Sequence, residues 1–171
     1  MTNKSNKKID WNACLKEALD RTEFMVVSTI DKDGSWICPV QFSYDEQMGL
    51  FFKSMPGSRH MKNMSKDPRV SVSIFSTTRL SDGEVIGIQL RGEATILNSK
   101  EESATAAKYF YTHDNPTYDY ASRVEEHLGE SAVWNFVKIT PTEIWYFNSQ
   151  MFDEETEGRQ QVPLENVRLT V

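Results

Sequence analysis

FMVVSTI-DKDGS-WICPVQFSY-DEQMG-LFFK, residues 24–53, is the stretch that decides the fold of this chain. Three of its runs, Phe24–Ile30, Trp36–Tyr44 and Leu50–Lys53, are short and rich in Val, Ile, Phe and Thr, as β-strands are. The turn sequences between them, DKDG and DEQMG, are too short to contain a crossover helix. Neighbouring strands must therefore be antiparallel.

Strand patterns continue in the second half of the chain. Apolar and polar residues alternate over Val70–Phe75, and a Ser81–Gly83 turn leads into a long strand from about Glu84 to Leu97, so these two segments should form a hairpin. Strand composition returns at Trp134–Ile139 and Glu143–Phe147. The chain is predicted to be mainly β, with antiparallel strands forming a barrel.

Helical patterns interrupt these strands. Asp10–Arg21 has apolar residues at three- and four-residue steps, which predicts an opening amphipathic helix. Arg59–Lys66 predicts a short helix with Ser58 as its N-cap, and Lys100–Tyr111 and Tyr118–Leu128 predict a helical pair. These short helices should flank or plug the barrel.

Length and composition favour a single folded unit. A chain of 171 residues fits one domain, which we place at residues 10–171, after a polar, disordered tail at residues 1–9. The tail has no apolar core of a signal peptide or membrane anchor, which predicts a cytoplasmic protein without membrane contact. A formal net charge of −6 argues against a broad nucleic-acid surface, because such surfaces need many Lys and Arg residues.

The stretch KSMPGSRHMK, residues 53–62, combines a strand end, a glycine turn, a capping serine and basic residues. Phosphate is the natural ligand of such a segment, because Ser58 can donate a hydroxyl and Arg59 a bidentate charge-assisted contact. A solvated turn with surface cations is the equally weighted alternative. Spacing alone does not choose between them, since the segment lacks a P-loop or a GxGxxG pattern.

The order of several motifs carries a family resemblance. They are Phe24–Thr29, Asp33–Gly34, Cys38–Phe42, Leu50–Ser54, Gly57–His60, Asp67–Val70, Gly87–Ala94 and Thr140–Trp145. In this order they resemble the FMN-binding split barrels of the pyridoxamine 5′-phosphate oxidase-like family, in its general stress protein-like branch. The resemblance covers most of residues 22–148, and its motifs are specific as a series rather than singly.

The resemblance implies a six-stranded antiparallel split β-barrel and a homodimer with FMN at its interface. It implies that the phosphate is held by Ser58 and Arg59 together with the strand end at Lys53 and Ser54. The flavin ring would lie along the second strand. The residues implied there are Pro39, Val40, Gln41 and Phe42.

Two residues, His60 and Lys62, affect the positive charge near the implied phosphate site. His60 stands where the family usually has a second basic residue, and a neutral imidazole would attract phosphate less. Lys62, further along the helix, would compensate.

Later residues complete the implied cofactor site. Gln89 corresponds to polar side chains that the family uses against the flavin, although an outward-facing barrel residue is an equal alternative. Trp145 and Phe147 alternate onto one strand face and would approach the partner's flavin, with Arg159 as a following arginine. Core packing is nevertheless the role expected of at least one of these aromatics, because aromatic residues dominate protein cores.

Other chemistries have less support in the sequence. His60, His113 and His127 lack a companion at metal-binding spacing, so no metal site is predicted. The aromatic residues of Tyr109–Tyr111 and Tyr118–Tyr120 could form a ligand lid, but side chains at helical steps more often pack helices onto a barrel.

The resemblance implies an FMN-dependent oxidoreductase acting on a small molecule that the sequence does not name. A nitroimidazole-reductase-like flavoenzyme is one alternative, since Pro39–Tyr44 resembles those relatives too. A flavin- or haem-binding module without turnover is another, because the fold alone does not fix function.

Overall fold

The structure, a computed structural model, describes residues 9–76, 83–113, 115, 117–129, 132–152 and 156–171. Residues 1–8 of the predicted tail and residues 81 and 82 of the predicted turn lie outside these ranges. Ile9, the last residue of the predicted tail, packs against the barrel core.

Helices and strands occur in the predicted order. The helices are α1 (Trp11–Asp20), α2 (Arg59–Met64) and α3 (Lys100–Thr112), with 3₁₀ helices at Ala121–His127 and Leu164–Asn166. The strands are β1 (Phe24–Asp31), β2 (Gly34–Gln41), β3 (Ser43–Tyr44), β4 (Leu50–Ser54), β5 (Arg69–Phe75), β6 (Ile86–Ile96), β7 (Asn135–Asn148) and β8 (Arg159–Gln161).

All described strands belong to one antiparallel sheet. Its order is β2-β1-β5-β6-β7-β4-β3, with β8 paired to β7. The first and last strands of this path, β2 and β3, are separated in the chain only by Phe42, so the sheet curls back on itself. The predicted fold class, a mainly β antiparallel split barrel with flanking helices, is confirmed.

The strand count differs from the six that the resemblance implies, because the described residues form an eight-stranded sheet. One added strand is β3, which lies within the single predicted strand Trp36–Tyr44. It is separate from β2 because the ladder to β1 stops at Gln41. The other is the three-residue β8, which has too few residues to show an alternation of its own.

Strand β7 is continuous where the sequence predicted two strands. The gap between the two predicted strands, residues 140–142, contains Pro141, and proline cannot donate a ladder hydrogen bond. In the structure Pro141 lies opposite Gly92, next to a register shift between Arg91 and Gly92. Such an irregularity tolerates proline within a strand.

Side-chain alternation divides the apolar residues between two clusters. Phe52 points into the barrel, where it packs with Leu15 of α1 and Tyr146 of β7. Its neighbour Phe51 points to the opposite face of β4 and packs with Phe136 beneath α3. The barrel thus encloses one core, while α3 and the following 3₁₀ helix cover a second. Across the described ranges, no helix is long and apolar enough to cross a membrane.

Candidate functional site

Three side chains meet where β4 leads into α2. The Nε2 atom of His60 lies 2.6 Å from the hydroxyl oxygen of Ser54 and 3.2 Å from that of Ser58. The two serine oxygens are 3.3 Å apart. Ser58 occupies the predicted N-cap position, but its side chain makes no capping hydrogen bond. The hydroxyl is directed to His60 and Ser54 instead.

His60 is a buried histidine, with 8% of its surface exposed. Burial lowers its pKa below the ordinary value for histidine, because desolvation penalises the charged form. The ring also lies against Phe52, at 6.4 Å between centroids. His60 is therefore less readily protonated than an exposed histidine.

Arg59 is held by residues of the first hairpin. Its Nε atom donates to Asp31 Oδ2 at 2.7 Å, and its guanidinium lies 4.5 Å from the centroid of the Trp36 ring. The hydrogen bond from Arg59 and one from the backbone of Asp33 lower the pKa of Asp31 to about 2. The carboxylate therefore stays charged near neutral pH, and a phosphate must share Arg59 with it.

A cavity of about 770 Å³ opens beside Arg59. Its charged lining residues besides Arg59 are three lysines and three aspartates, namely Lys32, Lys62, Lys66, Asp31, Asp33 and Asp67. Lys62 is exposed there. The cavity is thus lined by both cations and carboxylates.

Lys53 is not brought to the serine cluster. Because side chains alternate along β4, Lys53 points to the face opposite Ser54. Its Nζ atom donates to the Tyr111 hydroxyl at 3.0 Å and lies 5.1 Å from the centroid of the Phe110 ring. The structure therefore separates Lys53 from Ser54, Ser58 and Arg59.

The outer face of the sheet carries several of the implied flavin contacts. Directly opposed residues of antiparallel strands share a face. The ladders pair Pro39 with Val26, Val26 with Ser73, Ser73 with Gln89, and Gln89 with Trp145. These residues form one row across five strands, β2 to β7.

Of the neighbouring residues, some also lie on the outer face and others point into the barrel. Gln41 lies on it opposite Phe24, and Phe147 lies on it two residues after Trp145. Val40 points to the other face and packs against the barrel core, to which Phe42 belongs. The structure thus brings Pro39 and Gln41 to the outer face and directs Val40 and Phe42 inward.

A cavity of about 790 Å³ lies at the β6–β8 end of the outer face. Gln89 accepts a hydrogen bond from Arg159 Nη1 at 3.0 Å, and the Trp145 indole donates to Glu143 at 2.5 Å. Trp145 and Phe147 are partly exposed here, so neither joins the barrel core, although at least one was expected to. Arg159, Gln89 and Trp145 do come together.

Sequence reasoning missed three residues of this region. Asp31 and Trp36 hold Arg59, and Asn63 of α2 donates to Thr29 at 3.0 Å in the buried space beneath β1. Asp31 resembled an ordinary turn residue. Only the packing of α2 onto the hairpin reveals its charge partner, so no local signal could have identified it.

Metal chemistry finds no support in the described part of the chain. No group of three or more His, Cys, Asp and Glu side chains there could hold a metal ion. His127 is buried with both ring nitrogens engaged, since Nε2 lies 3.0 Å from the Tyr111 hydroxyl and Nδ1 lies 3.0 Å from the Trp134 carbonyl.

Solved structures with similar folds belong to proteins of several kinds. The haem-binding protein of Mycobacterium smegmatis has a TM-score of 0.67 and 14% identity, over 94% of this chain and 61% of that one. A candidate 5-nitroimidazole antibiotic resistance protein of Bacteroides thetaiotaomicron has a TM-score of 0.63 and 16% identity, over 80% and 82%. General stress protein 26 of Bacillus anthracis has a TM-score of 0.55 and 16% identity, over 81% and 94%. At these identities the likeness concerns the fold.

Sequence comparison is more specific. Residues 13–148 match the family model of pyridoxamine 5′-phosphate oxidase. No curated protein matches the chain significantly. The matched range includes α1 from residue 13 onward, the first hairpin, the serine cluster and the whole of β7.

Proposed function

This chain belongs to the pyridoxamine 5′-phosphate oxidase family, and on that premise we propose that it is an FMN-binding homodimer acting as an oxidoreductase on a small molecule. Its flavin would lie between the two subunits. A cytoplasmic location, without nucleic acid or membrane as a partner, remains our prediction.

The observation that carries this proposal is the uncovered outer face of the sheet. Ile37 is 65% exposed, Phe24 55% and Phe75 47%, and all three share a sheet with Pro39 and Gln41. Exposed apolar surface of this kind usually marks an interaction site. A second copy of the chain would cover it and enclose a planar ligand.

The spacing of the implied contacts also favours a site shared by two subunits. Pro39 on β2 and Trp145 on β7 are separated by β1, β5 and β6. At about 4.8 Å per strand, they lie about 19 Å apart along the sheet. Trp145 and Arg159 of one copy would therefore approach the ring held along Pro39 and Gln41 of the other.

The donor set at the start of α2 fits a phosphate in part. Ser54 and Ser58 supply hydroxyls, and Lys62 supplies an exposed cation in the cavity beside Arg59. Arg59 fits if it shares its guanidinium with Asp31, which occupies the Nε donor. Lys53 would take no part, because its ammonium faces α3.

The chemistry of the proposed activity would come from the flavin, which transfers hydride or single electrons when bound. The chain's own residues would orient and shield it. Gln89 and the Trp145 indole lie on the outer face, where an amide and an indole can fix the edge and the plane of a flat ring. Ser54 and Ser58 would hold the opposite end.

Absorption spectra and sedimentation of the purified chain test this proposal. An FMN-bound protein should show bands near ~370 and ~450 nm that bleach on reduction, at one flavin per subunit. Failure of the apoprotein to bind added FMN at micromolar concentrations would refute flavin binding. A 19.7 kDa monomer in the presence of FMN would refute the shared site.

Haem binding without turnover is the alternative that similarity to a haem-binding protein brings forward. The two buried histidines give haem ligation little support, because His60 Nε2 is hydrogen-bonded to Ser54 and both ring nitrogens of His127 are hydrogen-bonded. A sharp Soret band on haem addition, with no flavin uptake, would favour this alternative. Reduction of a nitroimidazole by the reduced flavoprotein would favour the nitroimidazole-reductase-like role.

A further inference from the structure

A further cleft lies between α1 and α3 and has a volume of about 570 Å³. Lys16 and Asp20, one helical turn apart on α1, line one wall. Lys108 and Tyr109 of α3 line the other, and the buried ring of Tyr44 lies between the two helices. Small-molecule sites commonly have volumes of about 300–1,000 Å³. None of the implied flavin contacts lines this cleft.

At the α1 side of the cleft, the polar side chains already hydrogen-bond to one another. Tyr44 donates its hydroxyl proton to Asp20 at 3.0 Å. Lys16 Nζ lies 3.0 Å from the same carboxylate and 3.4 Å from the Tyr44 hydroxyl. The charge of Asp20 is thus compensated by Lys16. Two of the three N–H groups of Lys16 are engaged, so one remains for a ligand.

On the α3 side of the cleft, the hydroxyl groups also donate to acceptors within the protein. Tyr109 donates to Glu46 at 2.6 Å, and this contact raises the pKa of Tyr109 to about 12. Thr112 donates to the backbone carbonyl of Lys108 at 2.6 Å. Both hydroxyls are therefore committed donors near neutral pH, and neither has a proton left to donate to a ligand.

Lys108 is the exception on this wall. Among the described residues, no carboxylate forms an ion pair with it, and its Nζ atom lies 5.8 Å from the centroid of the Tyr109 ring. Its side-chain N–H groups have no acceptor within the described part of the chain. Glu46 also lines the cleft, but its carboxylate already accepts from Tyr109. The charged donors that the cleft can still offer are therefore ammonium groups, which favour an anionic group on a ligand.

Aromatic rings form much of the remaining lining. Tyr44 and His113 meet edge to face, with centroids 5.6 Å apart, and Tyr109 and Tyr120 complete the aromatic surface. Such rings favour flat, apolar partners in stacked or edge-to-face contact. The cleft therefore offers aromatic walls and cationic donors together.

We propose that this cleft binds a small aromatic carboxylate. The carboxylate pairs with Lys108 and the remaining N–H of Lys16, and the ring lies against Tyr109 and Tyr120. The site is separate from the proposed flavin site, so the protein has a second small-molecule ligand.

Titration of the full-length chain with 2-naphthoate tests the proposal, with the uncharged 2-naphthamide as the matched control ligand. A ligand of this size should bind with a dissociation constant of about 0.1–1 mM. Amide resonances of α1 and α3 residues should shift in ¹⁵N spectra with naphthoate. Equal binding of naphthamide, or shifts confined to the outer sheet face, would overturn the proposal.

Two lysine variants on the same helix make the test specific. Lys108→Gln should weaken naphthoate binding about tenfold, because it removes a charge-assisted contact. Lys100→Gln, at the other end of α3, changes the same charge at an exposed ion pair and should leave binding unchanged. Both residues are exposed, so both variants should keep the parent circular dichroism spectrum. Unchanged affinity in Lys108→Gln would overturn the proposal.

Saturation with FMN tests independently whether the naphthoate site is separate from the flavin site. Naphthoate affinity should be unaffected by bound FMN, and displacement by FMN would overturn the assignment to this cleft. The naphthoate titration itself needs no flavin, so it remains decisive even if FMN does not bind.

Discussion

The Nε2 atom of His60 lies 2.6 Å from the Ser54 hydroxyl oxygen, and the direction of the proton between them depends on the charge of the ring. A neutral ring can accept the serine proton, whereas a protonated ring can only donate. Protonation of His60 therefore frees the Ser54 hydroxyl proton for another acceptor. An anion at Ser54 and Ser58 should feel this change.

FMN affinity should accordingly depend on pH through His60. Burial lowers the pKa of His60 in the free protein, and a bound phosphate would raise it. The added affinity is then complete below the free pKa and is lost as pH rises through the bound pKa. Ionisation of the phosphate near ~6 opposes it at the acid end. Binding should be strongest at mildly acidic pH.

His60→Gln is the variant for this prediction, because its amide can donate or accept without titrating. FMN fluorescence titrations from pH 5.5 to 8.5, about the range over which histidine changes charge, should show a flatter profile for the variant. Parallel profiles for parent and variant would mean that His60 does not control the site.

Arg59 and Asp31 should have opposite effects on FMN binding. Arg59→Ala should weaken it about ten- to hundredfold by removing a charge-assisted phosphate contact. Asp31→Asn releases Arg59 from its 2.7 Å partner and should tighten binding about two- to fivefold, since exposed ion pairs are weak. Isothermal titration calorimetry measures both. If Asp31→Asn left the affinity unchanged while Arg59→Ala weakened it, competition by Asp31 would be refuted.

The stability of the second apolar cluster should fall at acid pH because of His127. Burial lowers the pKa of this histidine in the folded state. As pH falls, the unfolded chain is therefore protonated at this residue before the folded chain is. The stabilising contribution is complete above the unfolded value of ~6.5 and is lost as pH decreases. Urea unfolding at pH 7.5 and 5.5 should show a smaller pH effect in His127→Gln. His60→Gln, compared in parallel, separates the contribution of the other buried histidine.

Ile37 should be a sensitive position of the dimer. Ile37→Glu places a charge on the outer face, where a stable interface would bury about 2,000 Å² or more and leave the carboxylate unpaired. Sedimentation should shift from dimer to monomer. Val133→Glu is a matched control, because Val133 is 64% exposed against 65% for Ile37 but lies outside the sheet. Dissociation by both variants, or by neither, would contradict the assigned face.

Much of the fold was predictable because its signals are local. The alternation in β1 and β5 follows from burial of one sheet face, and the actual limits of α1 and α3 differ from the predicted ones by one residue at each altered end. The second predicted helix of the pair is a 3₁₀ helix, Ala121–His127, inside the predicted range. Short strands such as β8 depend on their partner and leave no pattern of their own.

The candidate site was harder to predict because its contacts join distant segments. The sequence identified Ser58 and Arg59, but the diversion of the Ser58 hydroxyl to His60 and of Arg59 to Asp31 arises only when α2 packs onto the hairpin. Lys53 illustrates a second difficulty. Adjacent residues of a strand point to opposite faces, so a basic residue beside Ser54 in sequence lies away from it in space.

The position of β7 in the sheet has a consequence during synthesis. It lies between β6 and β4, and it joins the β2-β1-β5-β6 half of the sheet to the β4-β3 half. Yet β7 starts only at Asn135, long after both neighbours have been made. Until it emerges from the ribosome, β6 and β4 each present an unpaired edge, which other chains could extend. Nascent chains should therefore depend on protection from aggregation until β7 is complete.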